Sequence, residues 1–382
     1  MFSIELFRLL SIYYYFRARP GKCQRQKAGP LRTCTEETCP CFRQPAHAAL
    51  DNEENCTMSV RIGLIGCGEH SEIGHAVPLG RYSAEHPGSV ALVAACDLRR
   101  ERAELFSQKY GFKSAYADIG EMLQNERLDV CIAVVPVESI PPVGIRLLQA
   151  QVPCVVEKPL GPSIAEVEKL CNSAQATGTV NMVSVNRRFM PLLNRGMEWT
   201  RNAGALRYVR ATMLRHERTE PEFLGFTAIH AVDTVRFIAG DFSSCDIRPI
   251  TPAVPLWYAI DIQFESGALG RIDVLPTSGM VEETYELIGD GFRCVVTSPF
   301  GPQRLLRCYQ LNRLVHEEIA DHDPEDVIFG FYGEAVELVE AFRQGRRPRP
   351  TIEDIFPSVQ ACFELVERVE NSRTTLAPSS SP

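Results

Sequence analysis

No apolar run in this sequence approaches the ~18–20 residues that span a bilayer, and its lysines and arginines form no long basic run. The first absence argues against a helical membrane protein. The second, together with a net charge of -8, makes nucleic acid a poor partner, because that partner is held chiefly by concentrated positive charge. A CxxC pair is also missing, although the chain holds 14 cysteines. Cys67, Cys96, Cys131 and Cys154 lie in or beside apolar runs, where a free thiol behaves as a small hydrophobe. That placement fits core thiols in a reducing, cytoplasmic compartment rather than a disulfide framework.

The 382 residues, 45% hydrophobic and 23% charged, are ordinary for a globular protein and long enough for two domains with a core each. The front end differs from the rest. Residues 1–57 begin apolar and aromatic, turn basic, and carry Glu5 as the only acid before Glu36. This leader reads as a disordered or non-native start, with Met58 the true beginning, or alternatively as an organellar targeting peptide. Cys34, Cys39 and Cys41 lack a second ligand pair at metal-site spacing. Residues 373–382 read as a solvated, disordered tail.

Residues 58–188 alternate strand and helix patterns. Val60 to Ile65 is a short apolar strand, followed at once by Gly66-Cys67-Gly68-Glu69-His70-Ser71. In such a G-x-G-x-x-S turn the first glycine permits the tight bend and the second lets a pyrophosphate approach the backbone. A small third residue packs helix on strand, and the phosphates rest on free N–H groups at the helix start. A second apolar run, Val90 to Cys96, ends in Asp97, placed to accept both ribose hydroxyls of an adenosine. Arg99 and Arg100 follow and suit a 2′-phosphate instead, so NAD and NADP both stay open, with Asp97 favouring NAD. The stretch EIGHAVPLGRYSAEHPGS between them reads as a lengthened helix and loop.

The alternation continues with helices at 101–110 and 118–126, a strand at 128–135 stopped by Pro136, and a helix at 142–151. The strand VPCVVEKP follows, then a helix with Ser163 and Glu166 as a capping box, then a strand at 180–187. Strands alternating with helices imply a doubly wound parallel sheet, an α/β Rossmann domain. Ligands of such sheets bind beyond the strand C-termini, where Gly66, Asp97, Pro136 and Lys158 would converge. That explains a strand running straight into Glu157, Lys158 and Pro159: its tip delivers charged groups to a cleft, with Glu157 fixing the lysine stem or a ribose. In 189–372, strands at 206–214, 257–265, 268–275 and 284–288, with Gly267 as a hairpin turn, indicate an α+β domain.

GLIGCG, AACD and EKP in this order, followed by NRRF (Asn186 to Phe189), IHAVD (Ile229 to Asp233) and YGEAVELVEAFRQGRRPRPTIED, resemble the Gfo/Idh/MocA oxidoreductases from about Met58 to Ser372. The resemblance implies a large, open, mostly antiparallel sheet in the second domain, carrying the substrate face and a homodimer or homotetramer interface. It implies hydride transfer between nicotinamide and a sugar, polyol or related hydroxy compound, with Lys158 near the reacting hydroxyl and His230 as acid/base. An imidazole titrates near working pH, and an ammonium stabilises a developing alkoxide. Cys67, Glu69, His70 and Asn186 join the expected cofactor contacts, while Arg187, Arg188 and Asp233 are candidates for the substrate. Asp233 and Arg236 follow His230 at one-turn steps and equally suit a structural polar cluster. His230 and Asp233 have no third ligand at a recognisable metal spacing.

Two departures keep other readings open. Inositol-dehydrogenase-like members carry an aspartate where this chain has Phe226, and its fourth-strand tip reads Val135-Pro136-Val137, with Ile140 at the usual histidine position. They motivate an NAD(P)-binding sensor without turnover. A redox-neutral lyase or glycosidase that keeps its nicotinamide is the third reading.

Overall fold

Short runs of Val, Ile, Ala and Cys pair into the first of two sheets. A computed structural model describes residues 59–251 and 256–376, with 372–376 as backbone alone; the leader at 1–57 lies outside these residues. Strands β1 (Val60–Ile65), β2 (Val90–Cys96), β3 (Ser114–Tyr116), β4 (Val130–Ala133), β5 (Cys154–Glu157) and β6 (Asn181–Ser184) lie in the order β3-β2-β1-β4-β5-β6. Every neighbouring pair is parallel. All residues of β4, β5 and β6 are buried, which is why they read as unbroken apolar runs rather than alternating ones. The strand order reverses between β1 and β4, the crevice where doubly wound sheets bind ligands.

Some boundaries differ from the sequence expectation. The strand expected at 180–187 ends at Ser184, and Asn186–Phe189 turns into a 3-10 helix, because Arg187 and Arg188 swing toward carboxylates outside the sheet. The three-residue β3 is too short to stand out. The stretch after the glycine turn is one helix over 69–85, widened by a π-turn at Glu72–Ala76. Its length accounts for the long spacing between Gly66 and Asp97. Ser163 caps Ile164–Thr177 as expected, accepting from the Glu166 amide.

The second sheet contains β7 (Leu206–Leu214), β8 (Phe242–Pro249), β9 (Tyr258–Phe264), β10 (Leu269–Leu275), β11 (Glu282–Gly289), β12 (Phe292–Thr297), β13 (Leu305–Gln310) and β14 (Arg313–Ile319). Its order is β14-β13-β12-β11-β7-β10-β9-β8, antiparallel except for the β7–β10 pair.

A simple division at 188 does not describe the packing. Helix Phe331–Arg343 returns to the first sheet, setting Ala335, Leu338 and Val339 among Val60, Ile62, Val130, Ile132, Val155 and Met182 in one core cluster. The Val183 amide donates to the Pro350 carbonyl at 2.8 Å, and helix Ile352–Leu376 packs on Ile164–Thr177. That last helix corrects the tail expectation: 373–376 are helical, and 377–382 lie outside the described residues. Among the described residues no helix is long and apolar enough to cross a membrane.

Candidate active site

The glycine turn after β1 is shaped for a dinucleotide. Gly66 has φ +88°, and a Cβ there would sit 2.0 Å from the Val134 carbonyl oxygen. A Cβ on Gly68 would meet nothing within 4 Å, so open space lies in front of the helix start, which no side chain caps. The first helical bond there runs from the Glu72 amide to the Gly68 carbonyl at 3.2 Å; the amides before it have no partner within the helix. Ser71 is fully buried, and its hydroxyl donates to the Gly66 carbonyl at 2.6 Å. The residues present therefore fit a nicotinamide dinucleotide.

Asp97, at the tip of β2, accepts from the Cys67 amide at 3.0 Å and the Arg99 amide at 2.9 Å. These bonds fix the carboxylate beside the turn while leaving acceptor capacity on both oxygens. Arg99 and Glu69 are exposed. Pro136, also exposed, starts the turn into helix Ile140–Gln149, where Ile140 faces the core at 1% exposure. The residue at the family's histidine position thus serves packing.

At the tip of β5, Glu157 Oε1 lies 2.8 Å from His75 Nε2 and 3.3 Å from His70 Nε2. Burial alone would raise the Glu157 carboxyl, but the two imidazoles reverse this and hold it well below the usual range. His75 sits in the π-turn and is buried. Nothing in the sequence singled it out, because the π-turn that places it has no periodic signature. Lys158 is partly exposed, and its Nζ donates to the Phe226 carbonyl at 3.3 Å. Burial lowers its ammonium to about 8; Glu157 opposes this, while Arg187, Arg218 and Arg215 reinforce it. His230 lies in the same field: burial first, then Lys158, Arg187, Arg215 and His70, hold it well below its ordinary value.

Behind Lys158 stands a buried ion cluster. Arg187 makes two bonds to Glu283, of 3.0 and 2.9 Å, and Arg215 also donates to that carboxylate. The Tyr285 hydroxyl adds a bond of 3.0 Å, and the Phe300 ring covers both guanidiniums, 5.5 Å from Arg187 Cζ and 4.7 Å from Arg215 Cζ. Burial would raise the Glu283 carboxyl, yet the two arginines bring it down to about 2. Its signal was available in the sequence, since Glu283 shares the inward face of β11 with Tyr285 and Leu287.

Three expected site residues are engaged elsewhere. Arg188 pairs with Asp233 through two bonds of 2.8 Å, and Asp233 also accepts from Ser358 at 2.7 Å. Arg236 bonds Asp241 and the Asp354 carbonyl. The step from His230 to Asp233 and Arg236 is therefore a polar cluster that ties helix Ile229–Ala239 to its neighbours. Asn186 donates to the Phe329 carbonyl at 2.8 Å. Among the described residues no group of three or more His, Cys, Asp or Glu is placed to hold a metal ion.

Glu334, on the returning helix, is 4% exposed, and neither carboxylate oxygen has a hydrogen-bond partner within reach. Burial, then the Glu157 charge, push its carboxyl well above the ordinary range, against weaker help from Ser184 and the Val185 backbone. Unfolded, it ionises near ~4.3. The folded state therefore holds the extra proton above that pH, and stability falls as pH rises through this window. Glu334→Gln should be more stable than wild type at pH 7 by about 1–3 kcal/mol, and closer to parity at pH 4, read from urea midpoints.

Comparison with known proteins follows the same lines. The family described as an oxidoreductase family with an NAD-binding Rossmann fold matches residues 60–186. The chain is 26% identical over 335 residues, 81% of its length and 99% of the relative's, to 4-carboxy-2-hydroxymuconate-6-semialdehyde dehydrogenase of Sphingobium sp.. It is 25% identical over 232 residues, 56% of its length and 68% of the relative's, to myo-inositol 2-dehydrogenase of Thermotoga maritima. An Agrobacterium radiobacter oxidoreductase, solved with NAD+, L-tartaric acid and magnesium, superposes with a TM-score of 0.67 at 18% identity, over 83% of this chain and 97% of that one; this last likeness concerns the fold.

Proposed function

The chain belongs to the Gfo/Idh/MocA oxidoreductase family, and from that premise we propose that it moves hydride between nicotinamide and a CH–OH carbon of a sugar, polyol or related hydroxy compound. The observation that carries this reading is Lys158: a partly exposed amine at the tip of β5 whose surroundings bring it to about 8. A bound nicotinamide supplies the hydride acceptor or donor. Gly66, Cys67, Gly68 and the helix start would hold its pyrophosphate, and Asp97 a ribose. Lys158, poised near working pH, takes the hydroxyl proton during oxidation and returns it in the reverse direction. His230, ringed by cations and neutral at pH 7, serves better as a hydrogen-bonding guide for that hydroxyl than as the base. Glu157, locked by His70 and His75, restrains the strand tip that carries the lysine.

Asp97 supports NAD over NADP, since its charge would oppose a 2′-phosphate; Arg99 is the counterweight. The buried, unpaired cysteines support a reducing, cytoplasmic location. Exposed Leu269, Leu314, Val315 and Ile319 on the second sheet support a homodimer or homotetramer.

The test is absorbance of reduced nicotinamide with a panel of sugars, polyols and hydroxy acids. NAD should be reduced with kcat/KM at least about tenfold above NADP, a margin that Asp97→Ser narrows. Cofactor binding without reduction by any alcohol would favour the sensor instead. Product formation without free NADH would favour the redox-neutral enzyme.

A further inference from the structure

Three phenylalanines and a histidine form a continuous row along the same cleft. Phe300 meets Phe329 edge to face at 5.0 Å between centroids, Phe329 stacks with Phe331 at 5.9 Å, and Phe331 meets His70 at 6.0 Å. The three phenylalanines are partly exposed and His70 is exposed. The row begins beside Glu157, through His70, and ends over Arg187 and Arg215, so it borders the cleft of Lys158 and His230. An open-chain polyol, hydroxylated on every side, gains little from such a wall. A ring with one flat C–H face gains much, because aromatic faces are negative and attract C–H edges.

Charge adds a second requirement. Arg187 and Arg215 share a single carboxylate, Glu283. Arg218 is held near the cleft by Glu220 at 2.6 Å and lies over the Phe223 ring. Glu157 is already bonded to His70 and His75 rather than to Lys158. Cations outnumber carboxylates around the lysine, and the imbalance is buried enough to matter at short range.

We propose that the substrate is a ring-bearing hydroxy acid, its flat face on the Phe300–Phe329–Phe331 row and its carboxylate on the Arg218 side of Lys158. This deepens the dehydrogenase reading and rests on it for turnover, but its binding claim can be judged separately. A uronic acid in its pyranose form and a carboxylated cyclohexadiene diol share the required chemistry.

The experiment titrates the NADH-saturated protein by calorimetry with four compounds: a hexuronate, its neutral hexopyranose, the matching open-chain aldonate and a dihydroxycyclohexadiene carboxylate. The same four are assayed for turnover with NAD. At least one ring acid should bind at least about tenfold tighter than both the neutral ring and the open-chain acid; which ring acid binds tighter identifies the source. Arg218→Gln should erase the margin over the neutral ring while leaving NADH affinity unchanged, and Phe329→Leu should erase the margin over the open chain. Equal or better binding of the neutral ring or the aldonate, or no binding by any compound, overturns the proposal. So does a fall in NADH affinity in Arg218→Gln, which would assign that charge to the cofactor. Ring-acid binding without turnover would sustain the substrate class and sink the dehydrogenase reading. Turnover confined to the neutral or open-chain compound would do the reverse.

Discussion

Lys158→Met should lower kcat for alcohol oxidation by about 10²–10⁴, with the dissociation constant for NAD essentially unchanged. The side chain keeps its length and apolar stem, so the loss isolates the amine. The wild-type pH profile supplies the sign. An amine near 8 is mostly ammonium at pH 7, so oxidation that needs the neutral base should rise about tenfold per pH unit below that value and level off above it. Carbonyl reduction, which needs the ammonium, should fall through the same range. Both limbs should flatten in Lys158→Met. Lys158→Arg separates charge from proton transfer, since a guanidinium does not deprotonate: recovery of activity in it would leave Lys158 an electrostatic role only. Wild-type turnover in Lys158→Met would end the mechanism.

Glu283→Gln should cost about 3–5 kcal/mol of stability, the largest loss expected from one conservative change. Glu283 is 1% exposed, and Arg187 and Arg215 are 5% and 6% exposed, so removing its charge leaves two buried guanidiniums uncompensated. The carboxyl is held at about 2 in the fold, against ~4.3 unfolded. A group lowered in this way contributes its stability above the unfolded value and loses it as pH falls toward the folded one. The gap between wild type and variant should thus be full at pH 7 and shrink between pH 4.3 and 2, measured by urea midpoints. A gap that is small at neutral pH, or independent of pH, would show that the arginines find other partners.

Much of the nucleotide half was legible because each feature has a local cause. A buried parallel strand is an apolar run, a tight turn needs glycine, and a strand tip is where polarity begins. Gly66, Asp97 and Lys158 follow from those rules. The second sheet was only half legible: β12, β13 and β14 are partly polar and alternate, and the β7–β10 parallel pairing joins strands far apart in sequence. His75 and the aromatic row were invisible for another reason. A π-turn aims the first, and Phe300, Phe329 and Phe331 come together from two separate connections, so only long-range packing makes them neighbours. Asp233 shows the opposite failure. Its spacing from His230 was correct for a shared helix face, but Arg188 and Ser358 claim it.

The returning helix Phe331–Arg343 has a consequence for exchange between relatives. A gene segment ending near residue 188 would encode every strand of the nucleotide sheet yet none of the Ala335, Leu338 and Val339 side chains that cover its Val60, Ile132 and Met182 face. Such a cassette would carry a bare apolar flank, and apolar flanks of that kind aggregate. The nucleotide half is therefore inherited as two stretches that must be swapped together, and recombination that splits them should be tolerated only where both parents supply matching helix and sheet.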